Sequence, residues 1–244
     1  MIRPCSTLPN PATMPLETHV CSRRHGEPNH DFAVRRFEPK SLFGSGVDLD
    51  SIEVPSDDGR FTYVACGNEK RCVYCGGRPA HVHSIIVAVD GACKGNGKPG
   101  ARASVGVFVG PSSKYNKFEA LSAEFQTNQV AELRAGIVAL ELVRAMKIDL
   151  DVPGLNEVVI KSDSDYLVKG MTDWVFKWTA NSYRTSKGVA VTNAALFKTL
   201  NQSVKDLNND NIKVSFWHVP RSQNKEADQL ANRAFGADMA PPGI

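Results

Sequence analysis

Ser84-Ile-Ile-Val-Ala-Val-Asp90 is a run rich in β-branched residues that ends in a carboxylate and is followed by Gly91. A run of this kind, without polar alternation, predicts a central strand buried on both faces. Two further strand-like runs follow at 102–109 and 115–124, with Gly110, Pro111, Ser112 and Ser113 between them. That turn chemistry makes the three runs an antiparallel meander. Next, Val130, Leu133, Ile137, Leu140 and Val143 recur at helical spacing, predicting a helix over Asn128–Met146 with Thr127 as its N-cap. Beyond Pro153 and Gly154 come a strand at 157–162, helical segments at 164–178 and 191–208, a strand at 212–219 and a last helix at 224–235. The order β-β-β-α-β-α-α-β-α is that of an α/β domain whose crossovers set some strands parallel to the first.

Upstream of this domain, residues 1–59 are rich in Pro, Ser, Asn and Arg with no sustained period, and read as an irregular or disordered extension. Residues 60–83 form a Cys/His-containing segment, 84–236 the main domain and 237–244 a tail. Phe32, Val34, Phe37, Leu42 and Phe43 offer apolar groups that would dock part of the extension on the domain.

The chain has 244 residues, 42% of them hydrophobic and 23% charged, with a net charge of only +3. Nucleic-acid binding therefore has to be argued from local clusters, not overall charge. No apolar run reaches membrane-spanning length, and Pro4, Pro9, Pro11 and Pro15 interrupt any secretory h-region. The expectation is a soluble, monomeric, cytoplasmic or nuclear protein; Arg3, Arg23 and Arg24 leave a mitochondrial address open. Six cysteines, Cys5, Cys21, Cys66, Cys72, Cys75 and Cys93, do not imply a disulfide scaffold at this length without a secretion signal.

Asp90 ends the first strand, Asp163 ends the fourth, and Glu132 and Asp228 stand near the starts of two helices. If the first and fourth strands lie parallel and adjacent, their carboxyl ends bring Asp90 and Asp163 together. Carboxylates gathered in this way repel, and a hard cation such as Mg2+ or Mn2+ relieves the repulsion. Phosphodiester hydrolysis suits such a site. Taken singly, an Asp before Gly at a strand end is more often a turn residue.

The contexts of the four acids are more specific. Asp90-Gly-Ala-Cys-Lys-Gly-Asn-Gly-Lys-Pro-Gly-Ala, Thr127-Asn-Gln-Val-Ala-Glu-Leu-Arg-Ala, Ser162-Asp-Ser-Asp-Tyr-Leu-Val-Lys-Gly and Asn224-Lys-Glu-Ala-Asp-Gln-Leu-Ala resemble type 1 ribonuclease H in order and spacing, over residues 84–236. The resemblance implies a ribonuclease H-like α/β fold, with a five-stranded mixed sheet, its first three strands antiparallel, and helices on both faces. It implies two Mg2+ ions, or Mn2+ in their place, held by Asp90, Glu132, Asp163 and Asp228. It also implies a metal-dependent endonuclease that cuts the RNA strand of an RNA/DNA hybrid, leaving 3′-hydroxyl and 5′-phosphate ends.

The same resemblance assigns Asn96, Asn128 and Gln129 to 2′-hydroxyl recognition, for which amides supply donors and acceptors. Asn96 as a turn residue and Asn128 as a cap are the structural alternatives, compatible with that role. Thr127 and Asn193 match phosphate-pocket positions, although Phe125 stands where eukaryotic members often have arginine. Trp174, Trp178, Arg184 and Lys187 fall where the family has a basic protrusion against the DNA strand; the two Trp residues, four apart, also fit packing roles. In the loop before the last helix, Arg221 stands where many relatives have a histidine. Arginine can hold phosphate there, but guanidinium does not shuttle protons near neutral pH. His218, nearby on the strand, reads as a packing residue.

Cys66, Cys72, Cys75 and His81, with His83 close by, supply enough ligands for a tetrahedral Zn2+ site, though without the spacing of a familiar finger. Reduced structural cysteines are the alternative. For the whole chain, the second functional reading is a non-catalytic nucleic-acid-binding protein or a domesticated retroelement-derived relative.

Overall fold

The computed structural model describes residues 31–68, 70, 71, 76–122 and 126–237. The decisive run lies within β3 (Ala80–Lys94), which extends beyond it in both directions. Along one edge, Ser84–Ala88 of β3 pairs in parallel with β6 (Glu157–Ser162), and β6 pairs in parallel with β7 (Lys213–His218). Along the other edge, Ala88–Lys94 pairs antiparallel with β4 (Arg102–Phe108), and β4 with β5 (Lys117–Ala120). These are the five expected strands, with three antiparallel and two joined by parallel pairing.

Among the described residues the sheet has seven strands, so the sequence expectation of five is extended by two. β1 (Glu53–Pro55) and β2 (Thr62–Ala65) pair antiparallel, and β2 joins the N-terminal part of β3. They come from segments read as irregular and as the Cys/His segment, and β3 itself begins before residue 84. Their brevity hid them, because strands of three and four residues show no long apolar run.

Side chains alternate across β3, and each face meets a different cover. Ile85, Val87 and Val89 join the main core with α2 (Asn128–Ile148) and α5 (Ala194–Asn209), which contribute Leu133, Ile137, Leu140, Phe197, Leu200 and Val204. On the opposite face, Ile86, Val159, Trp217 and Val219 meet Phe37, Ile52 and Val64 in a second cluster. The N-terminal strap reaches this face from the far edge. Phe37 donates its backbone N–H to the Phe216 carbonyl, and the Phe216 N–H returns to Arg35. The chain then crosses through α1 (Pro39–Phe43) and a 3-10 turn at Leu49–Ile52 before entering β1 and β2. It therefore engages both the β7 edge and the β3 edge of the sheet.

α6 (Lys225–Ala237) packs on the same face as the strap, against β4. The expected helix at 164–178 is interrupted: α3 (Asp165–Lys169) passes through a π turn at Gly170–Trp174 into α4 (Val175–Ala180). Phe197 explains Gly170, where a Cβ would lie 2.3 Å from its ring. No described helix is long and apolar enough to cross a membrane.

Candidate active site

Two glycines admit the two helices that carry Glu132 and Asp228. At Gly91 a Cβ would sit 2.2 Å from the backbone nitrogen of Glu132, so α2 reaches the end of β3 only because that position has no side chain. At Gly106, which pairs with Asp90 across β3 and β4, a Cβ would lie 2.3 Å from the Ala227 carbonyl oxygen of α6. The helices thus approach the end of β3 from opposite faces. The parallel register, with Ala88 opposite Lys161, carries Asp90 and Asp163 to the same end of the sheet.

Asp90, Glu132 and Asp163 line one cleft of about 250 Å³, together with Cys93, Asn128, Arg221 and Asn232. Glu132 is buried and accepts the Gly91 N–H at 3.2 Å, while the Asn128 amide reaches its other oxygen at 3.4 Å. Burial, reinforced by Asp90 and Asp163, pushes the Glu132 carboxyl up to about 9. Asp90 is raised to about 7, by burial first and then by Asp163 and Asp228. Two acids beside a third, each driven toward its neutral form, are an arrangement that a cation would reverse.

Asp228 is drawn toward Arg221, with which it forms an ion pair, and toward the Asn232 amide at 3.2 Å. Among the described residues, no three His, Cys, Asp or Glu side chains converge into a preformed cation cage. The donors are all carboxylate oxygens, the set that suits Mg2+ or Mn2+.

Asn224 was given no functional role in the sequence reading. It is fully buried, and its amide lies 2.9 Å from the Val89 carbonyl and 2.9 Å from Asp163. It therefore ties the start of α6 to the ends of β3 and β6. Asn232, one helical turn beyond Asp228, was also passed over. Asn224 immediately precedes the helix that carries Asp228 and Asn232 lies within it, each four residues from Asp228, which is the signal that could have found them.

Thr127 caps α2, accepting the Val130 N–H at 3.2 Å, and Asn96 accepts the Asn128 backbone N–H at 3.1 Å. The turn after β3 is thereby fixed to the start of α2, with Asn96, Asn128 and Gln129 exposed beside the cleft. Trp174, Trp178, Arg184, Lys187 and Asn193 stand away from it. Trp174 and Trp178 flank Lys177 on a shallow concavity, and Trp178 packs edge-on against Phe197 at 4.9 Å. Asn193 has a left-handed backbone and contacts the Tyr166 hydroxyl at 3.4 Å. Arg184 is exposed and bonded to the Gly188 carbonyl, and Lys187 is exposed on the same loop. His218 is exposed, 3.6 Å from Asp165, and so corrects the packing role expected for it. Cys66 is buried beside β2, and His81 lies opposite Val64. Cys72 and Cys75 of the zinc set, and Phe125, lie outside the described residues.

Residues 82–235 match the sequence model of the RNase H family. The chain belongs to the RNase H family. Members of the RNase H family generally depend on divalent metal. Ribonuclease H of Pseudomonas savastanoi is 34% identical over 152 residues, covering 62% of this chain and 91% of that protein. Ribonuclease H1 of Mus musculus is 34% identical over 152 residues, 61% of this chain and 49% of the mouse protein. Ribonuclease H of Schizosaccharomyces pombe is 32% identical over 182 residues, 75% of this chain and 59% of the yeast protein. The chain thus spans about half the length of the mouse relative and rather more of the yeast one.

Proposed function

We propose that this chain is an endonuclease that hydrolyses the RNA strand of RNA/DNA hybrids. The observation that carries the reading is the convergence of Asp90, Glu132 and Asp163 on one cleft, with two of the three driven toward neutrality by burial and mutual repulsion. Membership of the RNase H family supports it.

Asp90, Glu132, Asp163 and Asp228 would hold two Mg2+ ions, with Mn2+ able to substitute. Bound there, the ions would supply a water activated near neutral pH and charge stabilisation for the leaving oxygen. The water oxygen bonds to phosphorus and the P–O3′ bond breaks, leaving a 5′-phosphate and a 3′-hydroxyl. Asn96, Asn128 and Gln129 offer amides to 2′-hydroxyls beside the cleft. Arg221 holds Asp228 until a phosphate competes for its guanidinium, which supplies positive charge without a proton to transfer. Thr127, Asn193, Arg184, Lys187 and the Trp174–Trp178 surface take the DNA strand.

The test is incubation with labelled RNA/DNA hybrid, duplex RNA and duplex DNA, with Mg2+ or with chelator. Metal-dependent cutting confined to the RNA of the hybrid is expected. Tight hybrid binding without cutting would instead identify a non-catalytic nucleic-acid-binding protein.

A further inference from the structure

The strap lies outside the family-matched residues, yet two of its arginines grip the segment that carries Trp174 and Trp178. Arg36 donates from Nη2 to Thr172 Oγ1 at 2.6 Å and to Asp173 Oδ2 at 2.6 Å. Both acceptors belong to the π turn between α3 and α4. Arg35 is buried, donates to Asn201 Oδ1 of α5 at 2.8 Å, and stacks its guanidinium 5.0 Å from the centre of the Phe176 ring. Backbone hydrogen bonds on both sides of Arg36 fix this pair to β7. The arginines therefore connect the β7 edge of the sheet with the π turn, with α4 and with α5.

A π turn widens the helix and loses the regular hydrogen-bond ladder, and it recurs at functional sites. Here it sets the direction in which α4 leaves α3. Trp174 closes the turn and Trp178 follows on α4, their rings 5.5 Å apart. Trp178 and Tyr166 rest on Phe197 on the inner side. On the outer side the turn is held by Arg36, whose side chain is 32% exposed, so the contact can be removed without opening the core.

From this geometry we infer that Arg35 and Arg36 are positioning residues for nucleic-acid binding: they set the Trp174–Trp178 surface relative to the carboxylate cleft. The inference rests on the ribonuclease reading for the identity of the nucleic acid. It assigns the strap a role in substrate affinity, in addition to covering the sheet.

The experiment uses the full chain as wild type, Arg36→Ala, Asp173→Ala and the double variant. Hydrogen exchange over residues 170–178 is followed with hybrid affinity in Ca2+ and with steady-state cleavage in Mg2+. Arg36→Ala should accelerate exchange over 170–178 and raise both Kd and KM about threefold to fivefold, with kcat within about twofold and the double variant no worse than Arg36→Ala alone. Arg36→Lys, which keeps the charge but loses the fork, should recover part of the affinity. Unchanged exchange, unchanged Kd, or a fall in kcat at constant KM would overturn the inference. A wild-type chain that neither binds nor cuts the hybrid would defeat the ribonuclease reading, and the exchange data would still decide whether the strap holds the π turn.

Discussion

Two acidic clusters among the described residues differ in their countercharges. At the loop after α2, Asp151 lies 2.8 Å from Lys114, 2.6 Å from Arg60 and 2.5 Å from the Tyr115 hydroxyl, which also reaches Asp149 at 2.8 Å. Hydrogen bonds from Lys114, then Tyr115, then Arg60 hold the Asp151 carboxyl below the ordinary carboxylate range. In the cleft, Asp90 and Glu132 move the other way, because burial and neighbouring acids dominate; of the cations lining it, Arg221 pairs with Asp228 and Lys94 lies over the Phe235 ring. An acidic cluster that serves the fold carries its own cations. The cleft proposed to serve chemistry is left short of them, and a divalent ion would make good the deficit.

Removing a carboxylate from each cluster is the strongest way to break this comparison. Asp90→Asn or Asp163→Asn should lower hybrid cleavage by more than about 100-fold, since a ligand matters more than the groups behind it. Retention of near-normal rates in a cleavage assay would show that the cleft is misassigned. Asn224→Ala should lower activity by about tenfold by releasing Asp163 from the start of α6. It should also cost about 1 to 3 kcal/mol in chemical denaturation, because the buried Val89 carbonyl loses its Asn224 donor.

A pH series separates the clusters by sign. Asp90 and Glu132 titrate higher in the folded chain than in an unfolded one. The stability tied to their neutral forms is therefore complete below about pH 4. It is lost as pH rises through about 7 for Asp90 and about 9 for Glu132. In chelator, Tm should fall across that window, and Mg2+ should raise Tm more at pH 9 than at pH 5. Asp151 has the opposite sign: its contribution is present above the ordinary carboxylate range and fades as pH drops below it. The smallest effect on activity is expected from Asp151→Asn, which should lower Tm near neutral pH while leaving cleavage within about twofold.

Sequence alone made the central strand legible, because the 84–90 run is long, apolar and rich in β-branched residues. It also singled out the four acids proposed to hold metal, through the motifs around them, and three of these line the cleft. The strap was harder to read: of the apolar groups expected to dock it, Phe37 and Phe43 join the second cluster while Val34 and Leu42 are exposed, and Val47, Leu49 and Ile52 dock through an irregular path that no period announces. The π turn was invisible because Gly170–Trp174 looks like ordinary helix, and the ring that requires Gly170, Phe197, is distant in sequence. Asn224 escaped notice because an Asn before a helix normally reads as a cap, whereas here its amide reaches two other elements. Periodicity reveals what a segment buries against, and long-range polar contacts leave no comparable trace.

The contrast between the clusters is tested most directly by calorimetric titration of the full chain with Mg2+ or Mn2+ near pH 7.5, in buffers of different ionisation enthalpy. Wild type and Asp151→Asn should bind the cation with release of protons, and Asp90→Asn should lose most of that binding. Cation binding that survives Asp90→Asn but is lost in Asp151→Asn would contradict the account.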